Sequence, residues 1–353
     1  MTIPLRSDRA NGHTDRAGPR VLQRALRLLG LVSQRLAGAL TLLILVLLAG
    51  GLLSHLVGRE QVEPIVVLAR LVEGARPHML VVAALLALAL PLLGAWRSGV
   101  LAILVALAGL GLLARDYRAG AAPVGQQTDL TVLWFNLLEQ NPVDPERLEA
   151  AFRDSGADVI ALTEAGPALP AAEALSDHYP YRLGCIEDTH CGQLILSRHP
   201  LTPISDRDFR LRARHRLIDA HVDLPGGQTV RLLSTHLFKP WYLVISHAEH
   251  KLLHEALRER EDMPTLVTGD FNSTPWSRDM LSLERRRELR HAPAPVSTWP
   301  VGAGDFGAQI DHVLLRGGPG FVSLAPWGEG LGSNHRGLLA RIDLDPDEAS
   351  SQP

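Results

Sequence analysis

Cysteine is nearly missing. Cys185 and Cys191 are the only two in 353 residues, so at most one disulfide can form. They lie in a polar, turn-forming stretch, GCIEDTHCGQ, where a bond is expected if that stretch faces an oxidising compartment; two unrelated small residues are the alternative. Positive charge is also short where a nucleic-acid partner would need it. Residues 123–353 carry 22 Lys and Arg against 32 Asp and Glu, so they lack the broad positive field that supplies most nonspecific affinity for phosphate backbones. That weighs against a nuclease working on long nucleic acid. The net charge of -3 hides this shortage, because residues 1–122 hold 13 basic residues against 6 acidic ones. Charge of either sign is almost absent from 36–114 outside two short connections, which divides the chain near residue 120.

The uncharged run 36–57 has 22 residues, enough to cross a hydrocarbon core of about 30 Å at about 1.5 Å per residue. Residues 78–96, with Pro91 inside, give a second span, and 98–114 a shorter third; Arg97 joins them in a tight hairpin. A cleaved signal peptide does not suit so long an apolar run followed by two more. Seven arginines precede the first span and three lie in the loop 58–77, which places the N-terminus in the cytoplasm. Three spans then put the soluble domain outside the membrane, and two spans would leave it in the cytoplasm. His55 and His78 fall at span ends, as interfacial residues. The expected layout is a cytoplasmic segment 1–35, three transmembrane helices, a linker 115–128, a domain over 129–344 and a polar tail 345–353, with residues 1–20 and the tail unstructured.

In the soluble part, the buried-strand run 130–138 contains Asn136, for which strand packing gives no reason. A helix is expected over 145–156, then a strand 158–163 that delivers Glu164. Further strands are expected at 192–200, at 215–224 with 228–237 as a hairpin closing on His236, and at 264–269 running into Asp270-Phe271-Asn272. Between the last two, a helix 246–262 opens on a Ser246–Glu249 capping box. Strands 310–315 and 337–342 are flanked by Asp311-His312 and Ser333-Asn334-His335. A single strand-end Asn or Asp caps a turn, and a single His satisfies local structure. The ordered series Asn, Glu, His, Asp, Asn, Asp, His at the C-terminal ends of successive apolar strands predicts convergence on one site.

With GDFNSTPWS at 269–277 as its most specific element, this series resembles the endonuclease/exonuclease/phosphatase superfamily of DNase I-like enzymes over about 129–344. The resemblance implies an α/β (α+β) four-layer sandwich, two mixed β-sheets face to face between helices, preceded here by an all-α transmembrane region. It also implies Glu164 as the principal Mg²⁺ (or Mn²⁺) ligand, with Asn136 and the Asn334 position beside it. Asp270 would orient or deprotonate water, and Asn272 and His236 would contact phosphate. His335 would act as second base or phosphate-stabilising imidazole, with Asp311 fixing its tautomer. The family's Ser-Asp-His is here Ser333-Asn334-His335, a lost carboxylate that bears on the number of ions bound.

Arg210, Arg212, Arg214 and Arg216 fall at spacing two, sharing one face if extended. A charged, solvated edge strand is one reading; Arg212 and Arg214 contacting an anionic head group is the other. Phe238, Pro240, Trp241 and Tyr242 follow His236 in a loop, positioned to grip a lipid or sugar or to pack on the adjacent helix. The expected function is a membrane-anchored, extracytoplasmic (periplasmic) metal-dependent phosphoesterase of the cell inner membrane, acting on a phospholipid or other lipid-linked phosphoester amid membrane lipids. A nuclease acting on DNA or RNA and a non-catalytic binding module on the same fold are the alternatives.

Overall fold

Among the described residues two helices are long and apolar enough to cross a membrane, Leu22–Leu56 and Trp96–Ala119. The computed structural model describes residues 17–58, 60–184, 191–204, 216–258 and 263–346. Its N-terminal part consists of α1 (Ala17–Leu53), α2 (Glu63–Glu73), α3 (Arg76–Ala87) and α4 (Trp96–Ala119). The chain divides into two compact units, one from residues up to 48 with 80–108, the other from 49–79 with 109 onward.

The first unit has an inside-out composition. Ala37, Ala83, Ala87, Ala102 and Ala106 are buried together with Ile44, Leu80 and Leu90, while Leu42, Leu85 and Leu101 are each more than 60% exposed. A Cβ on Gly99 would lie 2.9 Å from the Ala87 carbonyl oxygen, so α3 and α4 approach as closely as their backbones permit. Two expectations need correction here. The second span does not run unbroken over 78–96: α3 stops at Ala87, and a turn with Gly94 at positive φ leads into α4. Pro91, which lacks an N–H and clashes with the preceding turn, explains the break. The third helix is longer than expected, at 24 residues. In α1 the helix begins well before residue 36, and residues 17–20 belong to it rather than to an unstructured end.

The second unit holds the four-layer sandwich. Its strands are β1 (Leu130–Asn136), β2 (Val159–Thr163), β3 (Tyr181–Gly184), β4 (Gln193–Ser197), β5 (Leu201–Pro203), β6 (Leu217–Asp223), β7 (Thr229–His236), β8 (Thr265–Asp270), β9 (Asp311–Arg316), β10 (Gly320–Trp327) and β11 (Gly337–Asp343). Six form one sheet in the order β10-β11-β1-β2-β4-β3 and five the other, β5-β6-β7-β8-β9. Period-two alternation sorts side chains between layers. Val132 and Trp134 point between the sheets and meet Leu232, Leu266 and Val313. Their neighbours Leu133 and Phe135 pack outward on Leu148 and Phe152 of helix α5 (Pro145–Asp154). On the other side Leu233, Val267 and Leu314 pack on Leu253 and Leu283, which belong to α7 (Leu243–Arg258) and α8 (Arg278–Arg287); a short α6 (Leu169–Ala174) joins the first outer layer. The crossovers β1-α5-β2 and β7-α7-β8 make the two parallel pairs, and these carry most of the candidate residues.

Further differences from the sequence reading have local causes. The loop 58–77 contains α2, and β3, β5 and β10 add edge strands. The capping box fails because α7 starts at Leu243: the Ser246 N–H already donates to the Tyr242 carbonyl at 2.9 Å, and Glu249 is buried against Arg216 at 2.9 Å. Arg216 is therefore no solvated edge residue; it is 8% exposed and lies over the Phe238 ring at 4.3 Å. Arg210, Arg212 and Arg214 lie outside the described residues, as does Cys185, while Cys191 is disulfide-bonded. The expected linker 115–128 is tied in, with Ala121 bridging His291 and Val124 bridging Phe321. Residues 1–16 and the tail beyond 346 also lie outside the described residues.

Burial pushes the Glu284 carboxyl on α8 up to about 8, against an ordinary value of 4.5, with Arg285 and Arg290 offsetting only part. A raised carboxyl contributes stability that is full below 4.5 and lost as pH climbs through about 8. Glu284→Gln should therefore raise the melting temperature above pH 8, by about 2–4 °C per kcal/mol recovered, and change it little in acid. Thermal melts at both ends of that range check this; an equal effect at both would remove burial of charge as the cause.

Candidate active site

Parallel pairing sets Asn136 beside Thr163 and His236 beside Asp270, so each crossover ends with two adjacent strand tips. Gly269 makes the second pair possible, since a Cβ there would collide with the Thr235 carbonyl oxygen. Asp311 and His335 arrive differently from the sequence reading. Both sit at the N-terminal side of their strands, because β9 runs antiparallel to β8 and places Asp311 opposite Asp270, and β11 runs antiparallel to β1. The strand ends still meet at one edge of the sandwich, where reversed strands begin.

All seven residues come together. The Asn136 amide Nδ2 lies 3.4 Å from a Glu164 oxygen and 3.1 Å from Asp270 Oδ2. Glu164 is also held by the Glu139 backbone N–H at 2.7 Å. His236 Nε2 is 4.0 Å from Glu164 and 3.7 Å from Asp270. His335 Nε2 is 4.0 Å from Asp270, and its Nδ1 is 2.9 Å from Asp311. The Asn272 N–H donates to Asp270 at 2.8 Å, and its side-chain amide donates to the Leu237 carbonyl at 2.9 Å. Ser333 ties the His335 loop to β1 by donating to the Asn136 carbonyl at 2.6 Å. Asn334 is exposed on the wall of the same cavity. Glu164 and Asn272 both adopt positive φ, 50° and 49°, a conformation that costs a non-glycine residue about 1 kcal/mol or more and collects at functional sites.

Electrostatics separates the roles. Burial and the Asp311 carboxylate push Asp270 up to about 7, despite relief from His335 and the Asn272 and Asn136 amides. Burial alone would lower His335, but the bonded Asp311, with Asp270 and Glu164, outweighs it and raises the imidazole to about 9. At neutral pH it is an imidazolium. His312, by contrast, is driven down to about 4 by burial and hydrogen-bonds the Ser273 carbonyl, a neutral support of the loop after Asp270.

The donor chemistry fits a hard divalent cation. Glu164 and Asp270 offer carboxylate oxygens across one amide, the ligand type that Mg²⁺ prefers. A second grouping, Asp270, Asp311 and His335, brings its ligand atoms within 4.8 Å of one another. Asn136 turns its N–H₂ toward the carboxylates and its oxygen toward the Leu138 N–H at 3.0 Å, so direct ligation by Asn136 needs the amide flipped.

Glu164, His236, Asp270, Asn272, Asn334 and His335 line a cavity of 550 Å³, together with Pro240 and Trp241 of the loop the sequence singled out; other parts of its wall the sequence reading missed. Leu71, Glu73, Gly74 and His78 contribute from α2 and the start of α3, and Trp299 and Phe306 from the domain. Segment 49–79 is seated on the domain: the Arg278 N–H donates to Glu73 at 2.5 Å, Trp276 Nε1 to the Gly74 carbonyl at 3.2 Å, and Arg76 to the Trp276 carbonyl at 2.7 Å. The buried Arg70 neutralises Glu73. An i, i+3, i+4 apolar spacing in 62–72 was the available signal, and it was hidden by the short length of the segment between two stronger hydrophobic runs.

The profile of the Endonuclease/Exonuclease/phosphatase family matches residues 133–335, more than half of the chain. A comparison with curated proteins finds no match. Among solved structures, an endonuclease/exonuclease/phosphatase from Bacteroides vulgatus superposes with a TM-score of 0.50 at 16% identity, over 62% of this chain and all (100%) of that one. One from Beutenbergia cavernae gives 0.49 at 19%, over 62% and 72%. The sphingomyelinase C of Streptomyces griseocarneus gives 0.43 at 20%, over 61% and 99%. At such identities the likeness is one of fold.

Proposed function

We propose that this chain, which belongs to the endonuclease/exonuclease/phosphatase family and is thereby a divalent-metal-dependent phosphoester hydrolase, is anchored in a membrane and cleaves a lipid-linked phosphoester. The observation that carries the chemistry is the meeting of Glu164, Asp270 and His335 in one cavity around the Asn136 amide. Glu164 would hold Mg²⁺ or Mn²⁺, with Asn136 and Asn334 beside it. A bound cation supplies positive charge to the phosphate oxygens. Asp270, raised toward neutrality and backed by the Asn272 N–H, accepts a proton from the attacking water. His335, held protonated by Asp311, stabilises the charge growing on phosphate rather than acting as a base. His236 and the free N–H of the Asn272 amide contact phosphate oxygens. Arg212 and Arg214 remain candidates for an anionic head group.

Several features support the anchored reading. Small residues at helix contacts with leucine outside is the pattern of helices packing in lipid. The segment after α1 touches the domain that follows α4, so the chain makes an even number of crossings between them. With arginines ahead of α1 on the cytoplasmic side, the domain then lies outside, in the periplasm of an inner-membrane protein. The bond at Cys191 suits that oxidising compartment. The cavity mouth also favours a lipid: Leu71, Trp299 and Phe306 at its rim are 52%, 42% and 86% exposed, and Ile65 and Leu68 extend the apolar face of α2. Only the short helix Arg76–Ala87 lacks the length to cross unaided, and the turn to Ala95 extends it.

Full-chain protein in detergent should hydrolyse an activated phosphodiester with Mg²⁺ or Mn²⁺, lose more than about 10³-fold of the rate in EDTA, and regain it on adding the metal. Given phospholipid, DNA and RNA together, it should turn over the phospholipid. Preference for nucleic acid would establish the nuclease reading, and absence of both turnover and calorimetric Mg²⁺ binding would leave a binding module.

A further inference from the structure

A second cavity, of 430 Å³, lies apart from the catalytic one and is lined by Arg76 at the start of α3 and by Arg278, Arg285 and Arg286 of α8, with Leu56 and Leu113, near the ends of α1 and α4, beside them. Arg285 and Arg286 are exposed and have no hydrogen-bonded partner among the described residues. Arg76 and Arg278 are committed to backbone carbonyls of Gly51, Trp276 and Leu56, but their charge remains. The acids of the cavity are fewer. Asp116 is paired with Arg115 at 2.9 Å, and Glu284 is buried with one oxygen unpartnered. No catalytic residue lines this cavity, and nothing in the phosphoester chemistry uses it.

The composition has two halves. One side offers a concentration of guanidinium groups, which match phosphate geometry. The other is apolar: at the same helix ends Leu53, Leu56 and Leu112 are 54%, 62% and 51% exposed. A free anion uses only the first half. A phospholipid uses both, its head group among the arginines and its chains along the leucines. We propose that this cavity is a binding site for an anionic phospholipid of the surrounding bilayer, distinct from the substrate. The assignment rests on the reading of α1 and α4 as membrane helices.

Full-chain protein in nanodiscs of phosphatidylcholine, with and without phosphatidylglycerol, separates the two. Insertion into pure phosphatidylcholine reports the spans; failure there overturns the membrane reading itself. Native mass spectrometry of protein released from the mixed discs should show retained phosphatidylglycerol in preference to phosphatidylcholine. The double variant Arg285→Gln, Arg286→Gln should lower that retention about tenfold or more, each basic side chain at a membrane surface contributing about a fivefold preference. Its rate on the soluble phosphodiester should stay at the wild-type level, which verifies folding. Equal retention of both lipids, or unchanged retention in the variant, would overturn the proposal. Displacement of the lipid by inorganic phosphate alone would replace it with a simple anion site.

Discussion

Asp270→Asn should lower kcat on an activated phosphodiester by about 10²–10⁴-fold, while the metal-free protein melts at the same temperature or higher. Activity falls because the amide cannot take the proton of the attacking water. Stability does not, and the sign follows from the raised carboxyl. Its folded value near 7 lies above the ordinary 3.8, so folding disfavours the ionised form. The stability Asp270 contributes is present at low pH and lost as pH rises through about 7. Replacing it above that pH removes repulsion from Asp311, and the Asn272 N–H still finds an acceptor. Glu164→Gln should match it in lost rate and also weaken metal binding by calorimetry. If both variants lost activity only by unfolding, the cluster would be structural.

The second large effect lies away from the chemistry. Arg231 on β7 and Asp219 on β6 form a bidentate pair, 2.8 and 2.6 Å, that is almost wholly buried, and Arg231 also holds the Ala256 carbonyl of α7 at 2.9 Å. Arg231→Met would leave the Asp219 carboxylate buried without a counter-charge, costing about 3–5 kcal/mol. The double variant Arg231→Met, Asp219→Leu should recover most of that, since a well-packed apolar pair often matches a buried ion pair. Urea denaturation of wild type, Arg231→Met, Asp219→Leu and the double variant closes the cycle. A single variant no less stable than wild type would mean that the pair contributes register and not stability. Because β7 ends at His236 five residues on, the single variant should also disturb the site.

The sheet strands were legible because each carries a dense apolar run bounded by turn chemistry; β1, β2, β7 and β8 were placed within two residues. Their polar tips were legible for the same reason, since Asn136 and Asp270 interrupt runs that packing alone would continue. Edge strands were not: β3 and β10 carry mixed exposed residues and depend on a neighbour for their pairing. The capping box at Ser246 misled because Glu249 has the right type and spacing for a cap yet is bonded to Arg216, 33 residues away, a contact no local pattern contains. Direction along the sheet was also hidden. Asp311 and His335 sit at strand starts, and only pairing with β8 and β1 makes those starts coincide with the other strands' ends.

The seating of segment 49–79 on the catalytic face has a practical consequence. A shortened protein beginning near residue 123 would keep every residue of the metal and proton chemistry, yet lose Leu71, Gly74 and His78 from the cavity and uncover Trp276. Such a fragment would accept small activated esters while misreporting which natural ones the intact enzyme selects. Segment 49–79 thus forms part of the cavity wall, and substrate profiling belongs to the chain with its first helices in place.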